Sequence, residues 1–595
     1  MLATAAAAAL IITPGSTAAS SPRSPIAACA YGTSVPDLEG YLQPAVSQAA
    51  AAYGASLPTT SRAESTRAFA AAAAAYVFGM PQVLERQTIK GFIRNEIISV
   101  DGLTNATTRA VVSPNVDTAY SVSWIDLTTG PVVINVPNEG SRFYTFQIMD
   151  AYTNAYAYIG TGSTGTAAGA YVIVPPGYTG AIPAGLHEVK SPTNTNWLLG
   201  RTLVENSADL PAVRKVEEGY TMTPLAAWEL GVREPSLILN SPPTSKKKAL
   251  PTGTQFIATL NQELTIDPPP AADDCALSAM APAGVRLGDP SAQQSFEADA
   301  LNIAGTTPAS KPDAITAAAV NAGTAAAVKI IADASNQLIK IADAQNHGWT
   351  LVGNWIAQFG TRYLGRAIIA TSFLGANTNA QALYPTTFTD VDGLAFTGAR
   401  SYTLTFPKGK LPPAKAFWSL TLYDPDDYLY ANSLNRYAIG NRTTGLHLAS
   451  NGSLTLYIQH TAPTNPAQLA NWLPAPSGGF HLTLRIYQPA RSALTGAWSP
   501  PPVFAQGESL TPSLSRLKLV GDHLSYEDTQ ATRTLFSLYR HDKLIARFTH
   551  NDRDGRNRIS IAALRRGTYL LRAQAQPSGY DSGPGATRTI RFRIR

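Results

Sequence analysis

Two carboxylates stand among aromatic and amide side chains in the first strand-rich block of the sequence. Asp117 follows Asn115 by two residues, so both side chains fall on one face of a strand. Tyr144 and Asp150 share alternate positions of a second strand, and Tyr152 follows its end. Carboxylates among rings can have raised pKa values and act as general acid and base, as in glycoside hydrolysis. Asp117 and Asp150 are therefore candidate catalytic residues, and the other three are candidate substrate contacts. The alternative is that each Asp ends a strand by accepting backbone hydrogen bonds.

The second strand-rich block carries a similar set of rings and cations. Tyr423, Tyr457 and Arg485 each fall on the polar face of an alternating strand. If these strands are neighbours, their side chains form a plate that could floor a ligand site; the alternative is a half-solvated sheet face. Tryptophans would stack on rings and arginines would hold anionic or hydroxyl groups. The candidate binding residues of this block are Trp418, Tyr423, Arg436, Tyr457, Trp472 and Arg485.

The residue patterns give no indication of a metal or an organic cofactor. The histidines are scattered without paired ligand spacing, and aspartate-rich turns such as Asp424–Asp427 lack the spacing of a calcium loop. The sequence has no Gly-x-Ser-x-Gly elbow and no dinucleotide fingerprint. Because the central part also lacks a basic stripe, nucleic acid is not an expected partner.

The elements that would position these residues follow from hydrophobic periodicity. From Pro36 onward, apolar residues recur at helical spacing, which predicts two helices, the second stopped by Pro81. From Ile98 the period becomes two, which predicts a many-stranded antiparallel domain. An Ala-rich stretch from Lys311 predicts one long helix, or two helices broken at Gly323. A second strand-rich block and a C-terminal immunoglobulin-like sandwich follow.

The charge of the chain is concentrated at its C-terminus. The net charge is +6, and residues 508–595 hold 16 Lys and Arg against 8 Asp and Glu, so the rest of the chain is slightly acidic. The functional interpretation is that this module attaches to an anionic cell-surface polymer, and the alternative is an Arg-rich solvated β surface.

The N-terminus predicts export. Met1–Ile12 is almost uniformly apolar and is followed by small residues suited to signal-peptide cleavage, so we expect a secreted or cell-surface protein. No later run is uniformly apolar over the length of a spanning helix, so no transmembrane segment is expected in the mature chain. In an oxidising compartment, Cys29 and Cys275 are expected to form a disulfide. The alternative is lipidation of Cys29, because Ile26–Cys29 resembles a lipoprotein cleavage box.

Several separated motifs occur in a familiar order. Ser113–Tyr120, Gln147–Asn154 and Trp197–Arg201 resemble the bacterial domain of unknown function 1254. Phe417–Asp424 and Gly452–Gln459, with motifs around them, are similar to its usual partner, the domain of unknown function 1214. The resemblance covers about Arg67–Val503 and implies two jelly-roll-like β-sandwich domains with a helical insertion, a layout shared by some glycan-processing enzymes. It implies no particular activity.

Together these observations predict a mainly β protein with a helical insertion (α+β). We expect two jelly-roll-like β-sandwich domains, a helical layer between them and the C-terminal sandwich. The predicted boundaries are 1–33 for a signal peptide and linker, 36–205 for the N-terminal helices and first β domain, 206–385 for the helical insertion, 386–504 for the second β domain and 507–595 for the basic sandwich.

Two functions fit this organisation. The first is an exported hydrolase acting on a glycan or another polar polymer in a cleft of Asp, Tyr, Arg and Trp side chains. The second is a non-catalytic cell-surface or ligand-binding protein that takes a glycan or another polar small molecule. Converging carboxylates in one pocket would distinguish the hydrolase from the binder.

Overall fold

The computed structural model describes residues 38–594 except 110, 241–248, 301–313, 346, 507–513, 522, 529–532, 553–554, 562–563 and 577–586. The predicted signal peptide, the lipoprotein box and Cys29 lie outside these residues. The fold class is the predicted one, because the described part is an α+β chain of several sheets with one large group of helices.

The helices pack around one long central helix. The bounds of the helices are α1 Leu38–Ala55, α2 Thr59–Ile89, α3 Leu210–Glu217, α4 Leu225–Glu229, α5 Gly253–Ile266, α6 Asp274–Met280, α7 Ala292–Ala300, α8 Ala314–Gln345, α9 Tyr363–Phe373, α10 Pro466–Ala470 and α11 Arg491–Leu494. The central helix is α2, whose alanine-rich middle is buried against α1, α5, α8 and α9. The N-terminal helices and those of the insertion therefore form a single bundle.

Two helix predictions can be compared with this bundle. The prediction that Pro81 stops the second helix is wrong, because α2 continues through Pro81 to Ile89. Burial of the following turn against neighbouring helices offsets the lost backbone hydrogen bond. The Ala-rich stretch is one helix, and Gly323 lies inside it where α8 meets α2. A Cβ there would stand 2.3 Å from the Phe69 carbonyl oxygen, so only glycine permits this approach.

The apolar composition of two helices raises the question of whether they could cross a membrane. Within the described residues, two helical segments are long and apolar enough to span a bilayer by composition alone, Thr59–Ile89 and Thr316–Ile339. The most apolar stretch of the first is entirely buried in the bundle, whereas 44% of the corresponding stretch of the second is buried.

The first β region is a sandwich of two sheets. Its strands are β1 Ile98–Val100, β2 Thr118–Asp126, β3 Val132–Val136, β4 Tyr144–Asp150, β5 Ala155–Gly160, β6 Gly169–Val174, β7 His187–Lys190, β8 Thr195–Leu203, β9 Thr221–Pro224 and β10 Leu237–Leu239. One sheet has the order β10-β1-β2-β8-β4-β5 and the other β7-β6-β3-β9. Apolar residues of both sheets form a shared core, as the alternating pattern predicts.

The second β region repeats this layout. Its strands are β11 Trp349–Thr350, β12 Ala382–Leu383, β13 Thr386–Thr387, β14 Tyr402–Phe406, β15 Ala414–Tyr423, β16 Ala438–Gly440, β17 Leu454–Gln459, β18 Trp472–Pro474, β19 His481–Pro489 and β20 Val503–Ala505. One sheet has the order β11-β13-β19-β15-β16, with β12 also on β19, and the other β18-β17-β14-β20. Their facing apolar side chains form a second core.

The C-terminal module is a smaller sandwich. Its strands are β21 Leu514–Val520, β22 His523–Asp528, β23 Arg533–Arg540, β24 Lys543–Asn551, β25 Gly555–Ser560, β26 Gly567–Gln576 and β27 Arg588–Ile594. The sheets β21-β22-β25 and β24-β23-β26-β27 enclose a core of their own.

Candidate functional site

The first two sandwiches meet where a loop before β2 lies on the face of β15 and β19. Nη2 of Arg485 donates to the Ser113 carbonyl over 2.7 Å, and the Tyr423 hydroxyl donates to the Pro114 carbonyl over 2.7 Å. Both donors are buried. The conspicuous Ser-Pro-Asn-Val-Asp motif is therefore part of the joint between the sandwiches.

Asp117 completes this joint. Its carboxylate accepts from Ser419 Oγ and from Nη2 of Arg442, each over 2.5 Å. Nη1 of Arg442 also donates to the Val204 carbonyl over 2.6 Å. Asp117 is thus placed to hold the two sandwiches together, in a buried ion pair with an arginine of the other sandwich.

The predicted plate of polar side chains is half correct. β15 and β19 are neighbours, and their register pairs Tyr423 with His481 and Ser419 with Arg485, so these side chains share one face. Tyr457 lies in the other sheet, paired with Trp472, and does not join that face. The face is also not half-solvated, because the first sandwich covers it.

A cavity of about 560 Å³ opens beside this joint. Exposed Gly91 and partly exposed Gly102 lie at its mouth, and fully buried Tyr487 lies at its inner end. Most of its wall is apolar, which suits the body of a small organic molecule. The apolar wall includes Leu84, Phe92, Val122, Trp197, Leu199 and Phe373.

One end of the cavity, which we call the polar end, is formed by Tyr120, Tyr384, Arg485, Tyr487 and Arg201. Two of its tyrosine hydroxyls can only donate a hydrogen bond. The oxygen of Tyr120 accepts from the backbone nitrogen and Nδ2 of Asn115, over 3.2 and 2.6 Å. The oxygen of Tyr384 accepts in the same way from Asn377, over 3.2 and 2.7 Å. A hydroxyl oxygen has two lone pairs, so each tyrosine has only its O–H left to offer. All but Asn377 line the cavity.

Arg485 supplies a buried positive charge between these hydroxyls. Nη1 donates to Thr421 Oγ1 over 3.0 Å and Nη2 to the Ser113 carbonyl, so both partners are neutral oxygens. Within the described chain, no carboxylate forms an ion pair with this guanidinium. Burial alone would lower the pKa of Arg485, but the surrounding tyrosines, Tyr423 and Tyr487 foremost, raise it above its ordinary value. Arg485 is therefore charged and uncompensated.

Tyr487 lies two residues beyond Arg485 on the same strand face and also lines the cavity. Its ring stacks on Phe417, with centroids 4.2 Å apart. Its hydroxyl makes no hydrogen bond with any residue that the structure describes. Burial raises the pKa of Tyr487 well above its ordinary value, so this hydroxyl stays protonated.

Arg201 brings a second guanidinium to the cavity from the first sandwich. It donates to Gln147 Oε1 over 2.9 Å, to Asn377 Oδ1 over 3.3 Å and to the Gly375 carbonyl over 2.7 Å. These bonds fix the segment that carries Asn377 and, through it, Tyr384. The partners of Arg201 are again neutral, so the polar end is electropositive.

The two candidate catalytic carboxylates do not meet. Asp117 lies beside Val204, just past one end of β8, while Asp150 lies opposite Asn196 near the other end. At about 3.3 Å per residue, the separation is roughly 25 Å. Glycosidase carboxylates stand about 5–9.5 Å apart, so the predicted acid–base pair is wrong. Strand alternation placed each residue on a strand face but could not place it along the sheet.

The Asp150 carboxylate is held by backbone groups of the turn that follows its own strand. Its Oδ1 accepts from the backbone nitrogens of Tyr152 and Asn154, both over 2.9 Å, which is the strand-ending alternative considered above. Burial raises the pKa of Asp150 to about 6, although the hydrogen bonds oppose the shift.

Two of the other three candidates of the first block, Tyr144 and Tyr152, are buried outside the cavity lining. Tyr144 lies fully buried in the core of the first sandwich. Tyr152 lies in the helical core and donates to the Asp267 carbonyl over 2.6 Å. Asn115 alone among these contacts lines the cavity.

Most candidates of the second block also have structural roles. Trp418 packs against Phe406 in the core of the second sandwich. Nε1 of Trp472 donates to the Gln459 carbonyl over 2.8 Å. Arg436 donates to three backbone carbonyls, among them that of Trp472 over 2.9 Å. Neither these residues nor Tyr423 line the cavity, and Arg485 is the candidate of this block that does.

The cysteine prediction is partly outside the described chain. Cys275 lies in α6 and is disulfide-bonded. Because Cys29 is not described, the pairing of these two cysteines stays a prediction. The described residues contain no cluster of three or more His, Cys, Asp or Glu side chains placed to hold a metal ion.

Three residues of the polar end were missed by the sequence interpretation, and two of them carried a signal. Tyr120 and Arg201 lie in quoted motifs. Tyr384 lies between β12 and β13, which are two residues each and too short for alternation to be visible. Tyr487 follows Arg485 by two residues, so alternation placed it on the predicted plate.

Comparison with known proteins supports the resemblance drawn from the motifs. The family model for the protein of unknown function DUF1254 matches residues 94–224, and that for DUF1214 matches residues 381–491. The chain carries both domains in this order. The DUF1254 domain supplies Tyr120 and Arg201 to the cavity, and the DUF1214 domain supplies Tyr384, Arg485 and Tyr487. The polar end therefore requires the pair.

Two solved structures are similar to parts of this chain. The VPA0106 protein from Vibrio parahaemolyticus has 19% identity and a TM-score of 0.52, covering 74% of this chain and 99% of that one. An uncharacterised protein from Burkholderia cenocepacia has 12% identity and a TM-score of 0.34, covering 79% and 95%. A comparison with curated proteins gives no match. The first similarity supports the fold over about three quarters of the chain and nothing beyond the fold.

Proposed function

We propose that this DUF1254–DUF1214 protein binds an amphipathic carboxylate in the cavity between its two sandwiches. The observation that carries the proposal is Arg485, a buried guanidinium that lines a mostly apolar cavity and, among the described residues, hydrogen-bonds only to neutral oxygens. A buried charge without a counter-ion costs several kcal/mol, so a ligand anion at this position would offset a large penalty.

The hydroxyls around Arg485 favour the same ligand. Tyr120 and Tyr384 each have only an O–H to offer, and Tyr487 has an unused hydroxyl. A set of donors around a cation suits a group that only accepts hydrogen bonds. A carboxylate matches the Arg485 guanidinium in charge and in its planar, two-oxygen shape, while Arg201, already held by three hydrogen bonds, adds to the positive potential.

The apolar wall defines the rest of the ligand. Rings and aliphatic chains from both the first sandwich and the end of α2 line the route from the mouth to Arg485. Such a wall stabilises a hydrocarbon or aromatic body by about 25 cal/mol per Å² buried. Sugars would leave most of their hydroxyls unpaired there, so the glycan hydrolase hypothesis is not favoured.

Binding to a charge series tests this proposal. Dodecanoate, dodecanol and dodecylamine carry the same apolar chain with a negative, neutral or positive head. Each is titrated into the protein by isothermal calorimetry at pH 8, with octanoate and a naphthalene carboxylate covering other body sizes.

We expect a carboxylate to bind with a stoichiometry of one and at least tenfold more tightly than the matched alcohol, and the amine to bind most weakly. Equal affinities for the three heads, or a preference for the amine, would contradict the proposal. Failure of all carboxylates to bind would also contradict it.

A further inference from the structure

The C-terminal sandwich presents one sheet face on which arginine is the recurring side chain. We name this the arginine face; it is the outer face of the sheet β24-β23-β26-β27. The inner face carries buried residues such as Phe536 and Leu571, so alternation turns their sequence neighbours outward. Every arginine of the face is exposed. The members are Arg533, Arg547, Arg572, Arg591 and Arg593.

Strand register arranges these arginines as a band. Arg547 and Arg572 both pair with Ser537, from opposite sides of β23. Arg591 pairs with Leu570 on the strand next to it, and Arg593 follows two residues later. From standard strand spacings, successive Cα atoms in this band lie roughly 7–10 Å apart. The charges therefore cross the whole sheet.

Among the described residues of this face, no acidic side chain balances the band. The outward positions of the four strands, as far as the structure describes them, hold Arg, Thr, Gln, Leu, Ser, Asn and Tyr. The opposite sheet differs, because Arg516 and Arg556 both pair with Glu527, over 2.9 and 3.3 Å. Two arginines of the opposite sheet thus share a carboxylate, whereas the arginines of the arginine face have none among the described outward positions.

We propose that the arginine face binds an extended anionic polysaccharide. Guanidinium groups bind carboxylate, sulfate and phosphate groups in a bidentate manner, and a band of them matches a chain with repeated negative charges. Single-stranded nucleic acid needs aromatic platforms, whereas the ring of Tyr539 already lies 5.1 Å from the guanidinium carbon of Arg572. A bilayer is disfavoured because two of the three leucines on this face, Leu535 and Leu570, are only partly exposed, and the exposed Leu544 lies on the edge strand β24.

The test compares two triple variants of the full chain with equal loss of charge. The first, Arg547→Ser/Arg572→Ser/Arg591→Ser, removes the centre of the arginine face. The matched control, Arg516→Ser/Arg556→Ser/Arg558→Ser, removes three exposed arginines from the opposite sheet. Binding to dextran sulfate, polygalacturonate, neutral dextran, single-stranded DNA and phosphatidylglycerol vesicles is measured at several salt concentrations.

We expect wild-type protein to bind both anionic polysaccharides with a steep salt dependence and not to bind neutral dextran. The face variant should bind at least tenfold more weakly, while the control changes affinity less than threefold. If both variants bind the polysaccharides equally weakly, net charge alone would explain the loss of affinity, and the proposal would be overturned. Stronger binding to vesicles or DNA than to either polysaccharide, or no binding to either, would also overturn it. Equal thermal unfolding of the three proteins excludes misfolding as the cause.

Discussion

Replacing Arg485 by methionine separates the charge of this residue from the packing of its stem. Methionine keeps an unbranched apolar chain in the cavity wall and removes the guanidinium. The variant leaves Thr421 Oγ1 and the Ser113 carbonyl without their donor, at about 1–2 kcal/mol each. It also removes an uncompensated buried charge, whose desolvation costs several kcal/mol. Because these effects oppose each other, the free energy of unfolding should change by less than about 3 kcal/mol.

The effect on ligand binding has no such cancellation. Removing one partner of a buried charge pair costs about 2–5 kcal/mol, which is roughly 30-fold to 4,000-fold in the dissociation constant. We therefore expect Arg485→Met to lose most of its affinity for dodecanoate, while its affinity for dodecanol, which carries no charge, stays within about threefold. Calorimetric titration of both ligands, with urea unfolding of both proteins, measures the two effects separately.

Arg436→Met is the matched control. Arg436 also holds backbone carbonyls of the DUF1214 domain but does not line the cavity. It should lower stability without changing the ratio of dodecanoate to dodecanol affinity. If Arg485→Met binds dodecanoate as tightly as the wild type, or if Arg436→Met loses the same selectivity, the reasoning about the buried charge is refuted.

Three further predictions test other parts of the structure. Tyr384→Phe removes a donor from the polar end and leaves two Asn377 amide hydrogens unpaired. Dodecanoate should therefore bind about 3- to 10-fold more weakly, and the free energy of unfolding should fall by about 1–3 kcal/mol. Calorimetry measures the binding and urea unfolding the stability, and unchanged binding would contradict the donor role. Asp117→Asn breaks the buried pair with Arg442 and should destabilise the protein by about 2–4 kcal/mol in urea unfolding, whereas an unchanged midpoint would show that this pair does not hold the joint. Burial raises the pKa of Glu217 to about 9, so the folded state retains a proton that the unfolded state loses, and this stability is lost as pH rises from about 4.5 to 9. Glu217→Gln should therefore match the wild type near pH 5 and exceed it by about 3 kcal/mol near pH 7, and parallel stability curves for the two proteins would contradict this.

Strand alternation predicted faces well and positions poorly. It correctly placed Tyr423 and Arg485 on one face, because side chains alternate in any regular strand and the two strands are neighbours. It could not show that Asp117 and Asp150 lie near opposite ends of β8, since that depends on which strands pair and in which register. Pairing is set by contacts distant in sequence, which alternation does not contain.

The cavity depends on contacts that no single segment of sequence encodes. Tyr384 is fixed by Asn377, whose segment is held in turn by Arg201 of the other domain. The interpretation of Tyr144 and Trp418 as ligand contacts failed for a related reason. Large rings on strands fill sandwich cores as often as clefts, and burial decides between the two.

A crystal structure of the protein with bound dodecanoate tests the central claim most directly. We predict one molecule in the cavity between the DUF1254 and DUF1214 domains, with a carboxylate oxygen within about 3.2 Å of a guanidinium nitrogen of Arg485 and its chain along the apolar wall. A carboxylate at the mouth beside Gly91, with the chain directed toward Arg485, would contradict it.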